Sequence, residues 1–400
     1  MDRIDQAWAG IDVGKTRHHV AVVDTDGRIL HSKPFANDET AIIEAVSEAR
    51  SFAAELVWAV DITGTAARLL LALLAAEDQH VVYVPGRTVH RMTGAFAGDA
   101  KTDARDAFVI AETARLRRDL TEVEIPAQLV ADLGMLTERR RDIAAERIRA
   151  INQLRDLLSG VFPTLERALD LAGSRAGLVL LTGFQTPAAI RRRGLKRLGA
   201  WLNRHGIRID AAERLATKAV EAARAQRTVL PGEDVAAELV ADLAEAVLGY
   251  DERIVRLDRR IREVFETHPQ STIITSLPGM GPILGAEFIA AAGDLSSFAD
   301  AGHLASAAGL APVPRDSGRR TGNLHRPKRY SRKLRRVCYM SAQASIVAQG
   351  PSRDYYLKKR AEGCRHVQAL IALARRRIDV LWALLRDNRL FTPDPPGLKA

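Results

Sequence analysis

Four aspartates occupy positions from which their carboxylates could bind a divalent metal. Asp12 lies near the end of an apolar run typical of a strand, and Asp61 directly follows a second apolar run. Asp103 and Asp106 are three residues apart, so a helix there would carry both on one face. Converging carboxylates repel one another unless a cation neutralises them, and Mg²⁺ or Mn²⁺ prefers oxygen ligands. Two such ions could hold the attacking and leaving oxygens of a phosphodiester, which is the chemistry that these residues predict.

The segments that carry these acids predict an α/β domain over residues 1–125. Periodicity and turn residues predict strands over residues 6–13, 18–24, 28–35, 56–60 and 80–84, and helices over residues 39–54, 66–76 and 101–118. The segment Asp24-Thr25-Asp26-Gly27 is a hairpin signal between the second and third strands. Three antiparallel strands followed by alternating helices and strands have the element order of the ribonuclease H fold.

The composition favours a polyanionic partner. The chain has 400 residues, a formal net charge of +10 and a sequence pI of about 9.9. Of the 59 basic residues, 49 are Arg, which makes forked contacts to phosphate and stacks on bases. GC-rich coding also produces Arg- and Ala-rich chains, so the places where charge clusters are more informative than the total.

The cysteines and the hydropathy pattern predict a cytoplasmic protein with no membrane partner, and the net positive charge predicts association with the nucleoid. Cys338 and Cys364 have no metal-ligand spacing, so free thiols are expected. The N-terminal residues are charged and precede a strand, unlike a signal peptide. No apolar run reaches the length that spans a membrane.

Residues 126–270 predict a helical, coiled-coil region. Apolar residues alternate at spacings of three and four along its last helix, which is a heptad seam: Val247, Tyr250, Ile254, Leu257, Ile261 and Val264. Such a seam fits an antiparallel hairpin within one chain, and it equally fits a coiled coil between subunits. Periodicity alone leaves both alternatives open.

Residues 271–392 predict a third, mainly helical domain, and residues 393–400 a loose Pro-rich tail. Residues 277–286 begin Leu-Pro-Gly-Met-Gly-Pro, the glycine turn before a helix that is typical of a helix–hairpin–helix element. Gly279 and Gly281 in this turn would expose backbone N–H groups to a phosphate. Pro-Gly-x-Gly also forms ordinary turns, so the motif alone is not specific.

A basic segment follows in the same region. Residues 319–336 contain nine Arg or Lys residues and no acid. Such a run is often only a solvated face, but Tyr330 within it and the preceding turn favour nucleic-acid contact. The predicted nucleic-acid-binding side chains are Lys101, Arg315, Arg319, Arg320, Arg326, Lys328, Arg329, Arg332 and Lys333.

Together these motifs resemble the DEDD insertion-sequence transposases, which combine a RuvC-like domain with a C-terminal serine transposase domain. The resemblance is carried by Gly-Ile-Asp-Val-Gly-Lys at 10–15, the acid before Thr-Gly at 61–64, Lys-Thr-Asp-x-x-Asp-Ala at 101–107, Leu-Pro-Gly-x-Gly at 277–281 and Gly-Leu-x-Pro with Ser-Gly at 309–318. It covers residues 7–120 and 272–346. Pilin-gene invertases share the family.

The resemblance implies that the chain cuts and rejoins donor and target DNA. In the family, the four acids bind divalent metal, and the matching positions are Asp12, Asp61, Asp103 and Asp106. A serine acts as nucleophile, and its match is Ser317. The site would combine both domains, even from different protomers of a dimer or tetramer, and relatives are guided by a non-coding bridge RNA. The second acid is often Glu in the family, whereas Asp61 has the shorter side chain.

The residues around Ser317 support this chemistry without the resemblance. A serine hydroxyl is a weak nucleophile until its proton is taken or the developing charge is stabilised. Bound metal and the side chains of Arg315, Arg319 and Arg320 could provide that stabilisation. A phosphoserine would conserve the energy of the broken bond, so rejoining would need no ATP. In a different structural role, Ser317 would be a turn residue.

Three other functions compete with this prediction. A sugar- or acetate-kinase-like ATPase shares the fold, and Asp12-Val13-Gly14-Lys15-Thr16 resembles its first phosphate loop. Residues 127–400 lack the second phosphate loop and adenosine motif that it needs. A junction-resolving nuclease would use the metal site alone and leave no protein–DNA adduct. A guide-RNA scaffold would need no catalysis, which four acids argue against.

Overall fold

The computed structural model describes residues 3–96, 102–123, 127–293, 295, 298–318 and 321–393. These residues form two compact units, 1–125 and 126–400. The first unit is a mixed α/β domain and the second is mostly helical, as the sequence predicts. The predicted boundary at residue 270 stays a prediction.

The first unit contains a six-stranded sheet and four α-helices among its described residues. In chain order the elements are β1 (Ile4–Val13), β2 (Arg17–Val23), β3 (Ile29–Ala36), α1 (Glu39–Arg50), β4 (Ala53–Val60), a 3₁₀ turn (Thr65–Ala67), α2 (Arg68–Ala76), β5 (Val81–Tyr83), α3 (Gly86–Thr93), α4 (Asp103–Leu116) and β6 (Thr121–Glu122). The strand order is β3-β2-β1-β4-β5-β6. β1, β4 and β5 are parallel, and the other neighbours are antiparallel. Sequence reasoning did not predict α3 or β6.

The two faces of β1 pack against different helices. Ala9 and Ile11 lie in the core that also contains residues of α1 and α2. Gly10 faces α4 on the other side, where a Cβ atom would lie 2.2 Å from the Ala107 carbonyl oxygen and 2.3 Å from the Ala111 nitrogen. The missing side chain therefore lets α4 lie directly on the central strand.

The second unit is built from thirteen α-helices and one short hairpin among its described residues. The elements are α5 (Gln128–Val161), α6 (Pro163–Ala168), α7 (Arg175–Gly183), α8 (Pro187–Arg193), α9 (Leu195–Arg204), α10 (Ile209–Ala225), α11 (Glu233–Glu266), α12 (Ser271–Ser276), α13 (Pro282–Ala292), α14 (Ala301–Ala307), β7 (Val313–Pro314), β8 (Leu324–His325), α15 (Arg332–Ser345), α16 (Pro351–Ala361) and α17 (His366–Arg386). β7 and β8 pair antiparallel.

Helices α5 and α11 pack antiparallel along each other within the chain. Arg140 binds Asp258, and Arg147 binds Asp251 at 2.5 Å, so rising numbers on one helix meet falling numbers on the other. The two helices enter two hydrophobic cores, one built from α6–α10 and one from α12–α17. Of the predicted seam, Val247 lies in the first core and Ile261 in the second. A further coiled coil between subunits stays a prediction.

The structure can be compared with two further predictions, that the cysteines are free and that no segment spans a membrane. Cys338 and Cys364 are both free. Burial raises the pKa of the Cys338 thiol to about 12, so this side chain is a neutral core residue. Of the helices in the described parts of the chain, none combines the length and apolar character needed to cross a bilayer.

Candidate active site

Asp12 and Asp61 lie side by side at one edge of the sheet. β1 and β4 are parallel with Ile11 paired to Val60. Asp12 is the next residue of β1, and Asp61 directly follows the end of β4. Neighbouring strands are about 4.8 Å apart, and residues two apart share a face. Gly10 shares its face with Asp12 and lies against α4. The carboxyl end of β1 therefore presents its acid on the side of the sheet that α4 covers.

Helix α4 brings the other two acids to this side of the sheet. Thr102 caps the helix, and its hydroxyl accepts a hydrogen bond from the Arg105 amide at 3.2 Å. Asp103 and Asp106 occupy the first turn, where the helix dipole stabilises negative charge. Their spacing of three places them on adjacent parts of the same helix face.

The electrostatics connect Asp61 to Asp106. Burial raises the pKa of Asp61 above its ordinary value; a backbone hydrogen bond at Asp61 opposes that shift, and the negative charge of Asp106 adds to it. Among the described residues, no hydrogen-bond donor reaches the buried Oδ1 atom of Asp61. One oxygen of the ionised Asp61 carboxylate is therefore left without a donor, which is a situation that a bound cation relieves.

His19 lies beside this group of acids. It lies directly opposite Asp12 in the β1–β2 register, and its Nε2 atom is 2.9 Å from the Ser32 hydroxyl. Burial lowers the pKa of His19, and the charge of Asp103 opposes that shift. The short connection between β1 and β2 fixes this register. That short connection is the feature of the sequence from which the position of His19 opposite Asp12 could have been predicted.

The donor chemistry of the four aspartates fits a hard divalent cation. The described residues nevertheless contain no set of three or more His, Cys, Asp or Glu side chains placed to hold a metal ion. The backbone elements thus bring the acids to one region, while their side chains do not form a ligand shell. Lys101, which the sequence predicts as a phosphate contact beside them, lies outside the described residues.

Ser317 lies on an exposed hairpin in the second unit. It follows β7, and Arg315 donates its amide to the Asn323 carbonyl at 2.8 Å across the hairpin. The Asp316 carboxylate accepts the Asn323 amide at 2.9 Å. Ser317 and Arg315 are both exposed. The predicted contacts Arg319 and Arg320 lie outside the described residues.

The predicted phosphate turn between α12 and α13 is tightly packed. Gly279 has a φ of +80°, and a Cβ there would lie 2.7 Å from the Ser341 carbonyl oxygen. Arg377 donates to the Pro278 carbonyl at 2.5 Å and to the Ser341 hydroxyl at 2.7 Å. Burial lowers the pKa of Arg377 to about 10. The sequence did not reveal that Arg377 holds this turn. The helix–hairpin–helix assignment stays a prediction.

Some cations of the basic segment form ion pairs within the chain, and others do not. Lys333 pairs with Glu138 at 3.2 Å, and Arg336 pairs with Glu287. Arg335 lies over the Tyr330 ring at 5.1 Å, and burial lowers its pKa. The predicted nucleic-acid contacts of this segment that are exposed and form no ion pair within the described residues are Arg326, Lys328, Arg329 and Arg332. Positive charge available to a phosphate is therefore concentrated before and at the start of α15.

An α/β domain with acids at the ends of neighbouring strands, followed in the chain by a mostly helical unit, fits the RuvC-like transposase class that the sequence predicts. Residues 9–163 match a family model described as a DEDD transposase of the IS110 type. Residues 271–357 match a second model, described as a transposase of the IS116/IS110/IS902 family.

Two similar proteins cover almost the whole chain, and a third covers about a third of it. The 44.8 kDa protein of insertion element IS116 from Streptomyces clavuligerus is 58% identical over 98% of this chain and 98% of its own length. The 42 kDa protein of insertion element IS900 from Mycobacterium paratuberculosis is 48% identical, covering 96% of this chain and 97% of its own. A pilin gene-inverting protein from Moraxella bovis is 28% identical over 36% of this chain and 46% of its own.

The chain therefore belongs to the IS116/IS110/IS902 family of insertion-sequence transposases. The predicted resemblance and the predicted enzyme class, a DNA transposase or recombinase, are confirmed. This assignment selects the transposase prediction over the kinase-like alternative. The DEDD domain also indicates that the enzyme uses a divalent metal.

Proposed function

We propose that this transposase cuts and rejoins DNA through an ester between Ser317 and the DNA backbone. Asp12, Asp61, Asp103 and Asp106 would hold Mg²⁺ or Mn²⁺ for this reaction. The observation that carries the proposal is the placement of carboxylates at neighbouring strand ends and on the helix that covers them. The half-buried carboxylate of Asp61, whose Oδ1 atom has no hydrogen-bond donor among the described residues, supports it.

The proposed chemistry is a pair of transesterifications. The Ser317 oxygen forms a bond to phosphorus and loses its proton, while the bond from phosphorus to a deoxyribose oxygen breaks and that oxygen gains a proton. A second hydroxyl from DNA then reverses these changes and releases Ser317. Each step makes one phosphoester bond for each one broken, so no external energy source is needed.

The chain's own residues would orient the phosphodiester and stabilise its charge. The exposed guanidinium of Arg315 lies two residues from Ser317 and suits forked contact with phosphate. The bound cation would supply Lewis-acid stabilisation of the phosphate oxygens. Reaction at one phosphodiester requires the acids and Ser317 to act together, within one chain or between subunits of a dimer or tetramer.

The exposed cations before α15, together with the turn at Gly279 and Gly281, are proposed to bind donor and target DNA. Arg326, Lys328 and Arg329 supply the charge for backbone contact. A bridge RNA from the element's own end would select the sites, as the family resemblance implies. Removing that RNA would then abolish site selection without abolishing DNA binding.

The test of Ser317 is a search for covalent protein–DNA adducts. The protein is incubated with donor DNA, its flanking non-coding RNA and Mg²⁺, and the products are separated under denaturing conditions. Ser317→Ala should remove the adduct, whereas Thr321→Ala, an exposed hydroxyl on the same hairpin, should keep it. Adducts that persist in Ser317→Ala would remove Ser317 from the role. Free phosphate ends without an adduct would instead support the junction-resolving nuclease.

The acids are tested in the same assay. Asp12→Asn should lower cleavage by at least about 100-fold while DNA binding remains, because one metal ligand is lost. Asp5→Asn changes an exposed acid at the opposite end of the same strand and should cleave like the original protein. Unchanged cleavage by Asp12→Asn would contradict the metal assignment.

A further inference from the structure

A stretch without acids lies in the helical unit, between the two regions that the family models match. Residues 171–209 contain no Asp or Glu, and the family models cover residues 9–163 and 271–357. The basic residues of this stretch are Arg175, Arg191, Arg192, Arg193, Lys196, Arg197, Arg204 and Arg208. They belong to α7–α9 and the segment that follows. Nothing in the proposed function uses this charge.

Aromatic rings lie among these cations. The Trp201 ring packs edge-on to Phe184 with centroids 5.0 Å apart, and His205 lies 3.9 Å from Trp201 with the rings inclined by 30°. The Trp201 ring also lies against the backbone of Gly183, where a Cβ atom would approach it to 2.6 Å. Trp201 is half-buried and His205 is exposed. The rings of Phe184, Trp201 and His205 are therefore held against the helices while His205 is accessible to solvent.

Cations flank this aromatic group on the same side of α9. Arg197 precedes Trp201 by one helical turn and Arg204 follows it by three residues, so the three share a strip of the helix. The Arg193 guanidinium lies 5.8 Å from the centre of the Phe184 ring. Arg197 and Arg204 are exposed, and no carboxylate among the described residues pairs with either.

One acid of the neighbouring helix, Glu213, lies on another side of α9, and Asp210 pairs with Arg208 beyond the end of α9. Glu213 of α10 lines a groove of about 440 Å³ with Lys196, Gly199 and Asn203 of α9. Lys196, Gly199 and Asn203 form the strip of α9 that faces α10. With about 3.6 residues per turn, Trp201 and Arg197 lie on a different side of the helix. The strip with Trp201 therefore combines unpaired positive charge with aromatic faces.

We propose that this α9 surface, made of Phe184, Arg193, Arg197, Trp201, Arg204 and His205, binds unpaired nucleotides. The arginines contact the phosphates and an exposed base stacks on the aromatic group, which is how proteins hold single strands. A base within a duplex is already stacked and cannot use the rings. The proposal rests on the proposed function only in that the chain handles nucleic acid.

The test measures binding of the full chain to three fluorescent probes by anisotropy. The probes are oligouridylate and oligothymidylate of about 20 nucleotides and a mixed-sequence DNA duplex of that length. Arg197→Gln with Arg204→Gln should weaken single-strand binding about tenfold at about 0.15 M salt and reduce the salt slope by about 1.4. Arg214→Gln with Lys218→Gln removes the same exposed charge from α10 and should change binding less than about twofold.

Trp201→Leu separates stacking from charge. It should weaken binding of the single strands about tenfold with an unchanged salt slope, and it should leave duplex binding within about twofold. The exposed change His205→Ala should act in the same direction, which keeps the test valid if Trp201→Leu unfolds the helices. A loss confined to one single strand supports the surface and identifies RNA or DNA as its ligand.

Two outcomes would overturn the proposal. One is an equal loss from the α9 and α10 double variants, which would make the effect one of net charge. The other is unchanged single-strand binding in both Trp201→Leu and His205→Ala. Neither outcome bears on Ser317, because adduct formation is measured separately.

Discussion

The acid site and the Ser317 hairpin are built in opposite ways. Asp12 lies near the end of β1 and Asp61 directly follows β4 in a six-stranded sheet, and α4 lies on that sheet through the close contact at Gly10. Ser317 lies on an exposed two-stranded hairpin held by local hydrogen bonds, such as the one that the Asn323 amide donates to the Asp316 carboxylate. A change at the acid site must therefore affect folding as well as chemistry, whereas the two should separate at the hairpin.

The largest expected effect is at Gly10. Gly10→Ala places a Cβ atom 2.2 Å from the Ala107 carbonyl oxygen, so α4 must move off β1. We expect the free energy of unfolding of the first unit to fall by about 4 kcal/mol, measured by urea unfolding. Gly86→Ala is the matched control, because nothing lies within 4 Å of its Cβ position. Equal stability of the two variants would contradict the close packing of α4.

Two glycines in the second unit repeat the comparison on a smaller scale. Gly279 and Gly322 have nearly equal φ values, +80° and +78°, but only Gly279 is enclosed, with Ser345 and Ser341 backbone atoms within 3 Å. Gly279→Ala should cost about 3 kcal/mol, from strain and collision together. Gly322→Ala, next to β8, should cost about 1 kcal/mol, from strain alone. Denaturant midpoints that fall equally would show that the turn at Gly279 relaxes.

The sequence was sufficient to predict the elements that carry the acids. The strands that end near Asp12 and Asp61 are apolar runs, and a buried parallel strand must be apolar on both faces. Asp103 and Asp106 follow a Thr cap, a local signal that depends only on nearby residues. These predictions succeeded because strand burial and helix capping depend on residue types within a few positions of the residue concerned.

The sequence could not predict the partners that come from distant positions. His19 joins the acids only through the β1–β2 register, and Arg377 reaches Pro278 across almost 100 residues. The short β6 pairs with β5 by two residues, too few for a periodic pattern. Such features follow from tertiary packing, which a single sequence records only as isolated polar residues.

Asp61 should make the stability of the first unit depend on both pH and divalent cations. Because the pKa of Asp61 is raised, the folded state retains a proton that the unfolded state releases as pH rises above 3.8. The free energy of unfolding should therefore fall with rising pH until the folded carboxyl ionises, and Asp61→Asn should remove that fall. Mg²⁺ at about 100 times its Kd should stabilise the original protein by about 2.7 kcal/mol.

The measurement is thermal unfolding between about pH 4 and 7, with and without Mg²⁺. Glu55→Gln changes an exposed acid on the same strand and should keep both the pH dependence and the Mg²⁺ effect. If Asp61→Asn is stabilised by Mg²⁺ as much as Glu55→Gln, the cation binds elsewhere.

The smallest expected effect is the most direct test of the comparison. Ser317→Ala should change the free energy of unfolding by less than about 0.5 kcal/mol, because its side chain is exposed on the hairpin. Asp61→Asn, by contrast, should lose cleavage and change the pH dependence of unfolding together. A catalytic loss without a stability change is the signature of a residue whose role is chemical. If Ser317→Ala were destabilised by more than about 1 kcal/mol, the hairpin would depend on the hydroxyl, and loss of adducts would no longer identify a nucleophile.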